Sequence, residues 1–583
     1  MTTSILRREI VAVEHLPDDL PKVIKQIYAS RGVGSAKELD HQVGNLLGVD
    51  GESAPLKGLT QACEIIFSAL NNNLAIVIVG DFDADGATST ALMVSALNMF
   101  GSKNHSFIVP NRFEYGYGLT PEIVDIAAQQ GAQVLVTVDN GISCIAGVER
   151  AKSLGLQVIV TDHHLPGKVT PKADAIVNPN QVGCPFASKA LAGVGVAFYL
   201  MLELRKYCRE KNYFAQQGIA EPNIAQLLDL VALGTVADVV SLDTNNRILV
   251  AQGLKRIRAG QTRPGIQALI DIAKRDQSQL VASDFGFALG PRINAAGRLD
   301  DMAYGINCLL APDLATARVM ASDLDDLNKA RREIEQGMQV EAESVLTSLN
   351  FEQDNLPSAI ALYQSDWHQG VIGIVAGRLK EKFHRPCIVF ANGSDNDDAN
   401  VEIKGSARSI SGLHIRDLLE HISSQHPELI VKFGGHAMAA GLSIKAQDFN
   451  KFQQIFNDIA QQWLTEEHLQ SILLSDGELP TNNMTINFAQ QLRNAGPWGQ
   501  NFPEPLFDDV FTIVQQRLVG EKHLKLVVQK SGQVFDAIAF NIDVKAWPNT
   551  NAEKVQLAYQ LDINEFRGKR SVQLMVKHIA LAN

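Results

Sequence analysis

Leu74-Ala-Ile-Val-Ile-Val-Gly80-Asp81-Phe-Asp83-Ala-Asp85-Gly86 joins an apolar run to an acidic turn, and the rest of the chain is organised around it. Six apolar residues, mostly β-branched, run without interruption into a turn, as in a strand buried on both faces of a parallel sheet. Three carboxylates at alternate positions follow, then Gly86 and a Thr/Ser-rich opening to a helix expected over 87–100. Ligands in open α/β sheets bind at the carboxyl ends of the strands. Three aspartates there repel one another unless something cationic sits between them. Hard divalent metals with oxygen ligands suit that role. The alternative is an acidic loop or a helix N-cap. Capping explains one aspartate but not three straight after a buried strand.

Downstream the same rhythm repeats. His105-Ser-Phe-Ile-Val-Pro110 reads as a short strand ending in Asn111-Arg112-Phe-Glu-Tyr-Gly116-Tyr117-Gly118, with a helix over 121–130. Gln133-Val-Leu-Val-Thr-Val138 is a third strand ending in Asp139-Asn140-Gly141, with a helix over 142–154. Gln157-Val-Ile-Val-Thr161 is a fourth, ending in Asp162-His163-His164, and 173–178 is a fifth. Strands alternating with helices imply a mostly parallel, doubly wound α/β sheet. Asp81, Asp83, Asp85, Arg112, Asp139, Asp162, His163 and His164 all follow strand C-termini, so they converge on one edge. Singly, each has a bland reading: Asp139 before Asn-Gly could be only a turn, and the paired histidines could cap a strand. Jointly they read as a binuclear metal site.

The chain around this unit is that of an ordinary multidomain protein. Its 583 residues exceed a single core and predict three or four domains. With 46% hydrophobic and 20% charged residues it reads as soluble and globular, without a run that spans a bilayer. The start lacks the apolar core of a signal peptide. Six scattered cysteines without a C-x-x-C pair read as reduced thiols of a cytoplasmic protein and argue against zinc. A net charge of −12 argues against coating nucleic acid by bulk charge but leaves room for a local basic track.

Residues 1–60 show weak helical periodicity and no chemistry, and an amphipathic helix over 56–71 leads into the first strand. From 191 to 272 the chain is mostly helical. Gly193-Val-Gly195 lacks the third glycine of a dinucleotide fingerprint and reads as close helix packing. Asp229 and Asp238 lie in an apolar segment, where carboxylates are normally paired or ligating. Gly290-Pro-Arg292-Ile-Asn294-Ala-Ala-Gly297-Arg298 combines small residues with two arginines that can grip phosphate; the plainer alternative pairs an arginine with an acid such as Asp300. Residues 312–349 read as one long helix. A second α/β unit follows, with strands over 359–363 and 386–390, a helix over 370–382 and an exposed loop over 391–400. Lys404-Gly-Ser406-Ala-Arg408-Ser409 offers a hydroxyl and two cations around a glycine. Phe433-Gly434-Gly435-His436-Ala-Met-Ala-Ala440-Gly441 reads as a glycine-rich turn, either exposing N–H groups to phosphate or merely tight. Residues 474–505 look like a linker. The end of the chain alternates as β-strands and carries Lys522, Lys525, Arg567, Lys569 and Arg570, which suits an OB-like barrel for single-stranded nucleic acid. Lysines on strands are also often just the solvated face.

Asp162-His163-His164, together with Asp81-Phe-Asp83-Ala-Asp85-Gly86 and Thr137-Val-Asp139-Asn-Gly141, resembles the DHH phosphoesterase superfamily. Gly434-Gly435-His436…Ala440-Gly441 is similar to its DHH-associated substrate-binding domain. The 290–298 segment, Gly234-Thr-Val-Ala-Asp238 and the C-terminal β region narrow the resemblance to the RecJ family of single-strand-specific 5′→3′ DNA exonucleases. The resemblance implies an N-terminal helical segment (1–60), a DHH catalytic domain (61–311), a connecting helix (312–349), a DHH-associated domain (350–470) and an OB-like domain (475–583). It implies two divalent cations, Mn²⁺ or Mg²⁺. Asp81, Asp83 and Asp139 would hold one, and Asp85, Asp139, His163 and Asp238 the other, with Asp139 bridging and Asp238 preferred to Asp229. His164 would contact the scissile phosphate or act in proton transfer, with Arg112 near the reacting phosphate. Arg298, Ser406 and Arg408 would hold the terminal 5′-phosphate, with Asn294, Gly434, Gly435 and His436 also facing the DNA.

The expected activity is release of 5′-mononucleotides by two-metal hydrolysis in DNA repair and recombination. A channel between the two α/β units, too narrow for a duplex, would give strand specificity. The expected partners are single-stranded DNA, a helicase and a single-strand-binding protein, with no membrane and a monomeric state. Two other readings stay open at this point: a DHH-type phosphodiesterase or pyrophosphatase acting on small nucleotides, and a non-catalytic replication scaffold.

Overall fold

Ile76–Val79 is an interior strand of its sheet, and all four of its residues are buried. The structure, a computed structural model, describes residues 3–49, 51–111, 117–348, 356–393, 402–542, 544, 547–549 and 551–582. The chain divides into two units, Arg8–Asn328 with Asp476–Asn583, and Met1–Arg7 with Lys329–Ser475.

In the first unit Ile76–Val79 lies in a five-stranded, wholly parallel sheet with His105–Ile108, Val134–Val138, Gln157–Thr161 and Ala175–Val177. Counted along the chain, the strand order is 2-1-3-4-5. The order reverses between the first and third strands, where ligands of such sheets bind. Alternate residues of each strand feed opposite cores. Ile76, Ile78, Val134 and Val136 meet the helices Ala84–Met99 and Gly193–Glu210. Val77, Val79, Leu135 and Val158 meet Pro121–Gln129 and Ile145–Ser153. Helices on both faces explain why these strands read as unbroken apolar runs.

The helix Ala84–Met99 is buried along most of its length, under Gly193–Glu210, Leu228–Ala237 and Met302–Leu309. Its small residues permit that close cover. Two of its hydroxyls bond back to the helix itself: Thr88 Oγ1 donates to Ala84 O at 2.9 Å and Thr90 Oγ1 to Gly86 O at 2.8 Å.

The C-terminal strands Phe507–Val519, His523–Lys530, Gln533–Ala539, Lys554–Phe566 and Lys569–Leu581 close into a barrel. Closure comes from parallel pairing of 536–539 with 573–576, which removes the sheet edges. Leu524, Leu526, Val528, Val555, Leu557 and Tyr559 point inward. The Tyr559 hydroxyl donates to Asp509 Oδ2 at 2.5 Å, and Lys530 pairs with the same carboxylate.

The linker expected over 474–505 is not one: 474–475 end the strand Ile472–Ser475, and residues 476–505 are packed. They contain the helix Ile486–Asn494, whose Phe488, Ala489 and Leu492 are buried in the main core. Trp498 and Phe502 stack on each other and on Tyr28. Arg31 grips Asp476 with two hydrogen bonds, 2.7 and 2.9 Å, and Arg247 lies 4.3 Å from the Phe502 ring centroid. Pro, Gly and Asn signalled irregular backbone there, which is not the same as absence of packing.

In the second unit the strands Ile360–Tyr363, Cys387–Asn392, Glu402–Arg408, Ala439–Lys445 and Lys432–Gly435 lie side by side in that order. The first pair is parallel, joined across the helix Ile372–Phe383, and the rest are antiparallel. The expected loop over 391–400 is a strand at 391–392 and thereafter lies largely outside the described residues. Gly434 and Gly435 lie on a strand rather than in a turn, and the turn is made by 436–438. The N-terminal stretch carries the helix Lys22–Ala29 but also a strand, Ser4–Arg7, which pairs in parallel with Ile472–Ser475. The long helix runs Leu314–Ser348. Among the described residues no helix is long and apolar enough to cross a membrane.

Candidate active site

The helix after the first strand starts at Ala84, three residues earlier than the sequence implies, because Asp83 caps it. Asp83 Oδ1 accepts from Asp85 N at 2.9 Å and Gly86 N at 3.0 Å. One of the three aspartates therefore does cap, yet its carboxylate also lies with those of Asp81 and Asp139, their ligand atoms within 4.8 Å of one another. Gly86 is required: a Cβ there would lie 2.6 Å from Asp81 O.

Asp85 is fully buried in the first helical turn. The N-terminus of Gly193–Glu210 meets it head-on, with Gly193 N donating to Oδ2 at 2.6 Å and Val194 N to Oδ1 at 2.9 Å. A Cβ on Gly193 would lie 2.6 Å from Asp139 Cβ. The close packing read from Gly193-Val-Gly195 is thus a carboxylate clamp, a role that spacing alone did not reveal.

Asp139 follows the third strand with φ +62°. Asn140 Nδ2 donates to Val79 O at 3.0 Å and Val138 O at 2.9 Å, tying the ends of the first and third strands together. Tyr117, another residue that sequence reasoning did not assign, donates its hydroxyl to Asp139 O at 3.3 Å and sets its ring edgewise to His164.

Asp162 does not join the carboxylate cluster. Its Oδ2 accepts from Ile142 N at 2.9 Å. Its Oδ1 accepts from His163 N at 2.7 Å, His164 N at 3.0 Å and His164 Nδ1 at 2.8 Å. Asp162 therefore orients both histidines and fixes the His164 proton on Nδ1. His163 Nε2 faces Asp139 Oδ1 at 3.1 Å, Asp238 Oδ2 at 3.5 Å and Asp85 Oδ2 at 4.0 Å. Asp238 caps the C-terminus of the helix Leu228–Ala237. Asp229 is engaged elsewhere: Arg263 donates to it at 3.0 and 3.1 Å, and Thr262 Oγ1 at 3.0 Å.

The electrostatics call for a cation. Burial, then neighbouring charge, raises Asp85, Asp139 and Asp238 well above the usual carboxylate range. Burial and the neighbouring His164 charge lower His163, so it is neutral, as a ligand must be. Burial opposes a charge on His164, but the Asp162 hydrogen bond and charge lift it to about 9. Burial would raise Asp162 as well, yet the His164 hydrogen bond and charge hold it below the usual range. Asp139 Oδ1, His163 Nε2 and Asp238 Oδ2 are buried atoms without a hydrogen-bond partner. Buried acceptors in that state mark an ion site. Oxygen donors with one imidazole nitrogen and no thiolate fit Mn²⁺ or Mg²⁺.

The remaining assignments divide. Arg112 lies outside the described residues. Asn294 Oδ1 accepts from Ala84 N at 2.8 Å, so it braces the aspartate turn. Arg292 is held by Asp325 and by Ala288 O. Arg298 sits half-buried in the last turn of Gly290–Leu299. In the second unit Arg408 Nη1 donates to Ser406 Oγ at 3.2 Å and Ala407 O at 2.8 Å. Burial lowers the Arg408 pKa, and among the described residues no ion pair to its guanidinium is found. Gly373 packs against both side chains; a Cβ there would lie 2.9 Å from Ser406 Oγ. Gly434 pairs with Gly441, and Gly441 with Ser406. The glycines thus clear the sheet face beside Ser406 rather than forming a phosphate loop. His436 N donates to Ala439 O at 2.8 Å and closes the hairpin.

The chain matches the DHH family N-terminal domain over residues 75–235, the DHHA1 domain over 356–462 and the RecJ OB domain over 475–578. The single-stranded-DNA-specific exonuclease RecJ of Dickeya dadantii is 56% identical over 576 residues, 98% of either chain. RecJ of Thermus thermophilus, solved in complex with Mn²⁺, superposes with a TM-score of 0.77 at 27% identity, covering 96% of this chain and 76% of that one. The same protein solved with Mg²⁺ gives a TM-score of 0.73 at 25% identity, covering 97% and 75%. With DHH, DHHA1 and RecJ OB domains in order and 56% identity to a RecJ over 98% of its length, the chain belongs to the RecJ family of single-stranded-DNA-specific exonucleases.

Proposed function

We propose that the chain is a metal-dependent 5′→3′ exonuclease specific for single-stranded DNA. It releases 5′-mononucleotides and acts in DNA repair and recombination in the cytoplasm. One observation carries the reading: buried acceptors of Asp139, His163 and Asp238, without hydrogen bonds, face one another at the switch point of a parallel sheet.

Asp81, Asp83 and Asp139 would hold one ion, and Asp85, Asp139, His163 and Asp238 the other, with Asp139 shared. When bound, two Mn²⁺ or Mg²⁺ ions generate a hydroxide near neutral pH and stabilise the attacking and leaving oxygens. The protein supplies rigidity. Gly193 N and Val194 N fix Asp85, Asn140 fixes the strand ends that carry Asp81 and Asp139, and Asp162 fixes both histidines. With its Nδ1 proton held by Asp162, His164 presents Nε2 to a phosphate oxygen or to the leaving 3′-oxygen. Arg112 is assigned to the reacting phosphate. Ser406 and Arg408 hold the terminal 5′-phosphate, since a buried guanidinium that makes no ion pair among the described residues suits an anion. Arg298 is assigned a phosphate of the strand, and Asn294, Gly434, Gly435 and His436 frame its path.

The domain limits given above, a monomeric state, and recruitment by a helicase and a single-strand-binding protein belong to the same reading. The barrel favours long strands over small nucleotides, because a pyrophosphatase needs no second nucleic-acid surface. The test is single-stranded DNA labelled at its 3′ end, incubated with Mn²⁺ or Mg²⁺ beside blunt duplex and a chelator control. A ladder shortening from the 5′ end on the single strand alone supports the reading. Intact DNA alongside hydrolysed pyrophosphate or cyclic dinucleotide would overturn it.

A further inference from the structure

Val239 directly follows Asp238 and takes a left-handed backbone conformation, φ +64°. Among the described residues no other β-branched residue does so. The position terminates the helix Leu228–Ala237, with Asp238 N bonded to Gly234 O at 2.9 Å and Val239 N to Val236 O at 3.2 Å. Glycine or asparagine normally occupies such a place, because a branched Cβ is strained there. Burial does not offset that strain, since Val239 is 61% exposed.

A second exposed apolar group flanks the same helix end. Phe287, 80% exposed, sits in the π-helical turn Phe285–Leu289. That turn packs on the last turn of Leu228–Ala237: a Cβ on Gly286 would lie 3.8 Å from Val236 Cγ1, and one on Gly290 3.1 Å from Ala237 Cβ. It runs on into Gly290–Leu299, which braces the aspartate turn through Asn294. Strained residues and π-turns concentrate at functional sites.

We infer that Val239 and Phe287 form an apolar shelf on which the base of a nucleotide flanking the scissile phosphate rests. The inference rests on the proposed nuclease centre: Val239 is the chain neighbour of Asp238, which places the shelf at the border of that centre. Every base has an apolar face, and these side chains carry no hydrogen-bonding group. The shelf therefore positions any nucleotide without reading its identity, as an enzyme moving along arbitrary sequence requires.

Release of the first nucleotide in a single turnover, from strands with one abasic site at position 1, 2 or 8 from the 5′ end, tests this. The wild type releases it about tenfold more slowly with the lesion at position 1 or 2 than with it at position 8, the scale of losing one base stack. Val239→Gly and Phe287→Ala slow intact strands by a similar factor and lose that discrimination. Val239→Gly melts at or above the wild-type temperature, because strain is relieved. Unchanged discrimination in both variants would overturn the shelf, as would a lower melting temperature together with weaker Mn²⁺ binding in Val239→Gly. A wild type that ignores the lesions but degrades intact strands refutes only the shelf; one that leaves intact single strands untouched refutes the exonuclease reading itself.

Discussion

Asp162 shows how much one residue organises without joining the carboxylate cluster. It accepts four hydrogen bonds, three of them from the two histidines. Asp162→Asn removes the charge beside His164 and turns an amide NH2 towards one of the N–H donors that the carboxylate now accepts from. Turnover is expected to fall about 10- to 100-fold, the usual cost of losing a group that orients a ligand. Single-strand affinity, measured by fluorescence anisotropy, should stay within a few-fold. The clustered carboxylates also set a pH dependence. Their pKa values are raised in the folded, cation-free chain, so the folded state holds more protons than the unfolded one. Stability of the cation-free protein is therefore lost as pH rises from the usual carboxylate range towards about 7, where burial and neighbouring charge place Asp85 and Asp238. Mn²⁺ competes with those protons, so it should raise the melting temperature more at pH 8 than at pH 5.5. Thermal melts with chelator and with Mn²⁺ at the two pH values check the sign.

At the scale of elements, the start of Gly193–Glu210 does what no side chain does, delivering two N–H groups to a buried carboxylate. Gly193→Ala would place a Cβ 2.6 Å from Asp139 Cβ, so one of the two must move. Mn²⁺ affinity is expected to drop about 10- to 100-fold, read by calorimetry, with helix content by circular dichroism unchanged. Much of this level was legible beforehand. The runs at 74–79, 133–138 and 157–161 gave the parallel sheet, and topology alone then gathers Asp81, Asp139 and His163 on one edge. What escaped was whatever depends on backbone direction rather than side-chain type. The clamp at Gly193 reads only as small residues, and the glycines at 434 and 435 read equally as a turn or as a cleared strand face. Asp162 lies in the same run as the histidines, and only hydrogen-bond geometry separates the orienting residue from the cluster. Residues 476–505 escaped because irregular backbone and buried aromatic contacts leave no period.

At the scale of the molecule, the C-terminal region is not a removable appendage. Phe488, Leu492, Trp498 and the barrel interior belong to the same hydrophobic cluster as the catalytic sheet. Truncation near residue 475 would strip that core, so its loss of activity would say little about DNA binding. Charge reversal on the barrel surface is the cleaner probe, because Arg567, Lys569 and Arg570 are exposed. Reversing all three should weaken binding to long single strands and reduce the salt dependence of affinity by up to about one log–log unit per lost phosphate contact. Turnover of the shortest strands should be spared. A titration of affinity against salt for a long and a short strand separates the two effects.

Asp139 and its neighbours at the strand ends are proposed to form a two-cation centre. The most direct measurement is equilibrium Mn²⁺ binding by electron paramagnetic resonance, on the wild type and on Asp139→Asn. Two ions per wild-type chain, with both weakened when the shared ligand is changed, is the predicted result. Saturable Mn²⁺ binding that Asp139→Asn leaves untouched, or no binding beyond that of exposed carboxylates, would contradict it.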